Sequence, residues 1–445
     1  MKAGINNTNY EKSMNLKDLE KMFCNIFKAS LYNNAFYLML NTAATSVLGF
    51  IFWNIMTRFF SQAEVGIGTV LLSASGLIAS LASLGLGVGL VRYMPEVGED
   101  QGRLNNSVFT LIALLSGICA LVYLIAIPRI APALSFVRQS IPLLIMFLFL
   151  TVISAIFAMA DQSLIAGRAA RFVFWKNTLA SILKMPLPVI VFAALGGYGI
   201  FAGTGLSFLT ALLVTLFFFM PRVFPGYYPC PSLSGELISR ILPYSFSNYL
   251  AGLLNTAPIY IFPLMVLNIL GPEQSAYYYM AWMIATVLSI IPSSFTQSLF
   301  AEASHEPGKL GSHGRRALIT SLLLSLPAIL VMMVLGRWIL HIFGAAYAEN
   351  GIGVFRYLVL SIIPACLIGF YFTVNQVKKR VGLIVLMAGF LSVTTLGLGY
   401  WLLKMDGLSG LGMAYDIAEG SLALMIVWPL WNDLKAGQDA PSLSR

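Results

Sequence analysis

Charge is scarce in this chain. Of its 445 residues 27 are basic and 18 acidic, so charged side chains make up only 10% of the sequence, against about a quarter in an ordinary soluble domain. Chemistry-bearing clusters are equally thin: the four cysteines (Cys24, Cys119, Cys230, Cys366) form no CxxC pair, and His305, His313 and His341 share no metal-ligand spacing. The sequence therefore offers no metal site, redox centre or cofactor motif. The run Gly85-Leu-Gly87-Val-Gly89 follows no strand and leads to no acidic residue at the distance a dinucleotide fold needs. Isolated cysteines of this kind act as small apolar packing residues.

What is present in excess is apolar side chain, 58% of the chain, with 13% aromatic. A membrane-crossing helix needs about 20 apolar residues, and runs of that kind fill positions 35–56, 66–90, 107–127, 141–160, 172–194 and 198–220, then 242–270, 275–300, 317–341, 354–375, 381–403 and 408–431. The fold class expected is an all-α polytopic membrane protein with twelve transmembrane helices. A segment holding Pro221, Pro225, Pro229 and Pro231 separates the sixth run from the seventh and reads as a linker. The expected organisation is an N-terminal segment 1–33, a first lobe 34–220, a linker 221–240, a second lobe 241–432 and a tail 433–445. The first thirty residues are too polar for a cleavable signal. Met14, Leu16, Leu19, Met22, Phe23, Ile26 and Phe27 recur near helical spacing, as in an amphipathic helix lying on the membrane face.

Basic residues test this topology. Alternate connections, with both termini on one side, carry 20 Lys and Arg, including Arg168, Arg171 and Lys176, while the other side carries 6 and Lys184 falls inside a span. Positive charge is retained on the cytoplasmic side, so both termini are expected in the cytoplasm and the protein in the cell membrane. Net charge of +9 thus reflects orientation, and nucleic acid is excluded as a partner.

The halves resemble each other. Arg58-Phe-Phe-Ser-Gln-Ala-Glu64-Val-Gly66 joins the first two spans and Leu270-Gly-Pro-Glu273-Gln-Ser-Ala276 the seventh and eighth, with Glu64 and Glu273 209 residues apart. Six spans are an even number, so a duplication gives parallel repeats with a site expected between them. The stretch Gly49-Phe-Ile-Phe-Trp-Asn-Ile-Met-Thr-Arg58 through Gly66, continued by Leu84 to Glu96, resembles the first two helices of polysaccharide biosynthesis proteins. These are the O-antigen type oligosaccharide flippases of the multidrug/oligosaccharidyl-lipid/polysaccharide (MOP) exporter superfamily. The segment running from Leu270-Gly-Pro-Glu-Gln-Ser-Ala-Tyr-Tyr to Ser298-Leu-Phe-Ala-Glu302 is similar to the matching part of that family's second half, although Ala276 stands where the family often has Gly. The resemblance implies two six-helix lobes around a central cavity, and flipping or export of a polyprenyl phosphate- or diphosphate-linked oligosaccharide by a monomer in the lipid bilayer.

Polar residues inside spans are the candidate site. Lys184 lies mid-span, where an unpaired cation costs about 2.5–3.5 kcal/mol, so it faces protein or water; Asn177 and Ser181 share its helix face. Both a substrate contact and a helix-locking ion pair fit Lys184. Asn248 and Asn255, with Tyr244, form a polar line on the seventh span, and Thr286, Ser289, Ser293 and Thr296 form another on the eighth. Ser73, Gly76, Ser80, Ser83 and Gly87 give the second span a small-residue face, which suits either close packing or a hydrated wall. Asp416 and Glu419 are one turn apart on the twelfth span; two carboxylates in a low-dielectric span compete for charge, so they suit coupling to H+ or Na+ or, equally, packing. Arg58 suits either a loop-fixing ion pair with Glu64 or, as a planar guanidinium, a diphosphate. Asp161 reads as a loop ion pair with Arg168 and Arg171.

Three function classes follow. A flippase for a lipid-linked oligosaccharide fits best. A MATE-like drug or cation antiporter is expected to prefer acidic cavity residues to a lysine. A membrane glycan-processing enzyme needs a sizeable external loop for acid–base chemistry, which this sequence does not supply, so the chain is not read as an enzyme.

Overall fold

The computed structural model describes residues 30–305 and 310–435, and every element among them is helical. The amphipathic stretch at Met14–Phe27 lies outside the described residues. Twelve spans follow in order: α1 (Ser30–Phe59), α2 (Gln62–Ala82, continued by Leu86–Tyr93), α3 (Gln101–Ile130), α4 (Ile141–Ala166), α5 (Ala170–Leu183, continued by Pro186–Ile190) and α6 (Gly197–Val214, ending with Met220–Val223). The second set is α7 (Gly235–Leu270), α8 (Pro272–Ala285 and Ile290–His305), α9 (Leu310–His341), α10 (Ala345–Leu360 and Ile362–Val377), α11 (381–405) and α12 (408–435). By length and composition alone ten helices qualify as membrane spans. The other two are α5, whose break at Lys184–Met185 leaves two short pieces, and the α11–α12 pair, which runs on through Asp406 and Gly407 and counts once. The chain is a multi-pass membrane protein.

The helices form because apolar runs have no water to satisfy their backbone and must close their own hydrogen bonds. Their ends carry ordinary stop signals. Ser61 caps α2 reciprocally with Glu64: the Ser61 N–H donates to Glu64 Oε2 at 2.8 Å while the Glu64 N–H donates to Ser61 Oγ. In the second half the equivalent turn uses Gly271, at φ 95°, followed by Pro272 at the first helical position. An extended piece, 224–234, connects α6 to α7 and lies on α3, where Asn106 Nδ2 donates to the Tyr228 carbonyl and the Ser234 N–H to Ser107 Oγ.

The spans pack as two six-helix lobes. In the first, α4 touches α2, α3 and α6, and α5 joins α1 to α6; in the second, α10 and α12 hold α7, α8 and α9 together. The lobes meet along α2, which lies against both α7 and α8. At the end bearing the α1–α2 and α7–α8 turns this contact is dry and tight. Phe52, Trp53, Met56 and Val65 bury against Phe262, Ala276, Met280, Leu340 and Phe343. A Cβ placed on Gly66 would lie 1.8 Å from the Pro272 carbonyl oxygen, so only glycine lets the two turns touch. At the other end α8 has no contact of that kind with the first lobe, and a cleft opens between α1 and α8. We call the two ends closed and open.

Candidate functional site

Three cavities follow from this packing. The cleft between the lobes, about 500 Å³, is walled by Thr42, Thr45, Ser46 and Trp53 of α1, by Lys184 of α5, and by Tyr279 and Thr286 of α8. The first lobe encloses about 550 Å³ between α2, α4 and α6, and the second about 250 Å³ between α7, α8, α10, α11 and α12.

Lys184 reaches the cleft because α5 breaks beside it. The residue caps the Ala170–Leu183 helix, two positions before Pro186, whose missing N–H cannot continue the hydrogen-bond ladder. Its ammonium sits 4.9 Å from the centroid of the Phe52 ring, within cation–π range. No carboxylate among the described residues lies within 4.0 Å of it. The helix-locking ion pair considered for Lys184 is thus not formed here.

Asn177 and Ser181 do not join it. Asn177 Nδ2 donates to Asn41 Oδ1 at 3.2 Å and to both Asp161 oxygens at 3.3 and 3.4 Å, and Ser181 is buried at 6% exposure. The acceptor in that network corrects the reading of Asp161 as a loop residue. Asp161 pairs with Lys176 at 3.0 Å, and the Lys176 ammonium also donates to the Phe157 carbonyl at 2.7 Å and lies 3.2 Å from the Phe157 ring centroid. Lys176 is fully buried inside α5, so it does not belong to the basic loop where the charge count placed it. The division becomes 19 to 6, with two lysines in spans. The signal available in the sequence was weak: Lys176 is the fifth residue of the apolar run 172–194, and Asp161 lies five residues before α4 ends at Ala166.

Asp416 and Glu419 lie on α12 in the second lobe. Glu419 lines that lobe's cavity with Asn255, Ser289, Ser361 and Tyr415. Asp416 Oδ1 and Glu419 Oε2 are buried without a hydrogen-bond partner, and neither carboxylate has a cation within 4.0 Å among the described residues. The side chain of Asn248 lies outside the described residues. Small residues of α2 serve both purposes weighed for them: Gly76, Ser80, Ser83 and Gly87 line the first-lobe cavity, while a Cβ on Gly76 would lie 2.4 Å from the Tyr260 ring.

Arg58 is at the closed end, away from the cleft. One guanidinium nitrogen donates to the Ile342 carbonyl at 3.1 Å, and Asn54 Nδ2 donates to the same oxygen at 2.9 Å. Ile342 follows the end of α9, so the first lobe caps a helix of the second. Glu64 is occupied with Ser61 and forms no ion pair with Arg58.

Two helical lobes closed at one end around a polar-lined cleft define a membrane transporter. Solved structures agree on that fold. An inward-facing conformation of a multidrug resistance MATE family transporter of the MOP superfamily matches with TM-score 0.65 at 17% identity, covering 88% of this chain and 96% of its own. The outward-facing conformation of a multidrug resistance MATE family transporter matches with TM-score 0.55 at 19% identity, over 90% and 96%. A MOP superfamily transporter from Pyrococcus furiosus Vc1, for which a reverse polarity of the binding pocket is described, matches with TM-score 0.55 at 15% identity, over 92% and 94%. None of the curated proteins compared with the chain matches it. The profile of the polysaccharide biosynthesis protein family matches residues 55–350, about two thirds of the sequence, and the chain belongs to that family.

Proposed function

We propose that the protein moves a polyprenyl phosphate- or diphosphate-linked oligosaccharide across the cytoplasmic membrane by alternating access, for surface glycan synthesis. The observation that carries this reading is Lys184, a cation without a carboxylate partner facing the cleft between the lobes. A lysine in that setting is costly unless an anion visits it, and the diphosphate of a lipid-linked sugar is such an anion while its tail stays in the bilayer. In this reading the open end faces the cytoplasm, both termini are cytoplasmic, the lobes are 34–220 and 241–432 about the linker 221–240, and the transporter is a monomer. Arg58 meets the diphosphate only after the closed end has opened. Asp416 and Glu419, with Asn255 beside Glu419, bind the coupling H+ or Na+.

The test is glycan export by cells or by reconstituted vesicles. Lys184→Ala abolishes export at normal protein level, and Lys184→Arg keeps part of it. Equal loss of folded protein in both variants would replace this reading by a structural one. Orientation is checked separately: a reporter fused after Arg380 reads cytoplasmic and one at Gly271 external. A MATE-like antiporter is the second reading, favoured by the unpaired carboxylates of the second lobe; cation efflux that survives Lys184→Ala and disappears in Glu419→Gln would support it.

A further inference from the structure

The two lobes offer an internal comparison for one surface feature. The α4–α5 and α10–α11 turns have the same backbone. Arg168 N–H donates to the Ile165 carbonyl and Ala169 N–H to Leu164, while Lys379 N–H donates to Gln376 and Arg380 N–H to Asn375. The middle residues are left-handed, Arg168 at φ 52° and Lys379 at φ 56°, and the two turns are 211 residues apart. Both are basic, yet they differ in how that charge is met. In the second lobe Asp433, near the end of α12, lies 2.7 Å from Lys378 and 3.3 Å from Arg380. The position 211 residues before Asp433 is Arg222, at the end of α6. Where one lobe places a counter-ion, the other places a third positive charge.

The result is a concavity of about 400 Å³ at the open end, lined by Arg168, Arg171 and Arg222 together with Asn33, Asn34 and Tyr37 of α1, and by no carboxylate. None of the three arginines has a carboxylate within 4.0 Å among the described residues, although Arg92 and Arg240 share Glu96 and Arg103 pairs with Asp100 at the same end. Two are held in place: Arg222 donates to the Phe218 carbonyl at 3.1 Å, and the Arg171 guanidinium lies 4.6 Å from the Phe172 ring centroid. Each keeps further N–H groups for another acceptor, since a guanidinium has five. Three like charges around one hollow repel one another unless an anion enters, and the guanidinium fork matches phosphate oxygens bidentately. The turn sits where α4 ends and α5 begins, the headgroup level of a span. Arg171 precedes Lys184 by 13 residues of α5, about 20 Å at 1.5 Å per residue, so this hollow is distinct from the cleft.

We propose that this hollow is a binding site for the phosphate ester of a lipid headgroup. Its source is either an anionic phospholipid of the bilayer or the diphosphate of a polyprenyl-linked substrate. The site itself does not rest on the export reading.

The test uses the full chain in zwitterionic lipid nanodiscs, titrated with phosphatidylglycerol or with undecaprenyl diphosphate and read by native mass spectrometry. Arg222→Asp puts a carboxylate where the second lobe has Asp433 and reverses one charge of the hollow; Arg168→Ala with Arg171→Ala is the independent variant, and thermal unfolding checks the folding of each. Arg315→Ala with Arg316→Ala removes two exposed charges at the same end, outside the hollow. Binding of at least one probe falls at least about tenfold in both hollow variants, the loss expected for charge-assisted hydrogen bonds, and is unchanged in the control. Loss confined to phosphatidylglycerol identifies a phospholipid site; loss confined to undecaprenyl diphosphate identifies a substrate-docking site. Wild-type affinity for both probes in Arg222→Asp, or no binding of either by the wild type, overturns the proposal. Lys184 lines the cleft and not the hollow, so Lys184→Ala leaves phosphatidylglycerol affinity intact, and a loss of undecaprenyl diphosphate binding seen in Lys184→Ala but in neither hollow variant belongs to the cleft. Failure of the export reading and failure of this one are thereby told apart.

Discussion

The two lobes share a fold and handle their carboxylates within spans in opposite ways. The first lobe pairs its own: Asp161 meets Lys176 at 3.0 Å, the Phe157 carbonyl takes a second bond from that lysine, and Asn177 and Asn41 extend the network. Asp161 is only 23% exposed and Lys176 not at all. In the second lobe Asp416 and Glu419 are a turn apart with buried oxygens that have no partner. A paired buried ion ties together the helices that carry it, whereas a buried carboxylate without a partner is costly to keep charged.

The largest effect that would test this contrast is in the first lobe. Lys176→Ala strands Asp161 and is expected to cost about 3–5 kcal/mol, read as a steep fall in the unfolding temperature of the purified protein. Lys176→Met combined with Asp161→Leu recovers most of it, because the well-packed apolar pair needs no counter-charge. A neutral Lys176→Ala would break the comparison. In the second lobe, Asp416→Asn and Glu419→Gln keep shape and remove ionisation; their unfolding temperatures stay at or above wild type while transport loses its response to the proton or sodium gradient. Full gradient dependence in both variants would reduce these carboxylates to packing. The smallest effect lies between the lobes: Arg58→Ala removes one capping bond, about 1 kcal/mol, and shifts the distance between spin labels on α1 and α9 toward an open end with little change in unfolding temperature.

Architecture was legible in the sequence because lipid imposes a one-dimensional rule: every span must be an apolar run of fixed length. Even the kinked α5 showed as such a run, 172–194, though its two pieces end and restart at Leu183 and Pro186. The site was less legible. Lys184 and Glu419 stood out because a charge in a span is conspicuous. That Asn177 turns to Asp161 and not to Lys184 depends on which neighbouring helix presents an acceptor, and α5 carries no trace of α4 in its own periodicity. Lys176 lay only five residues into its run, where a loop lysine and a buried one look alike until helix packing separates them. The reversed sign at Arg222 and Asp433 required the repeat register, which the two turns reveal through their hydrogen bonds rather than through matching residue types.

The bond from Arg58 to Ile342 has a further consequence because its acceptor is a carbonyl. A gate held by an ion pair would weaken in acid and in salt, and parting it would leave two bare charges at the membrane face. Here separation releases one exposed guanidinium into water and one peptide oxygen at a helix end, and both hydrate readily. The closure should therefore keep its strength across a wide range of pH and ionic strength, leaving the command to open with whatever occupies the interior.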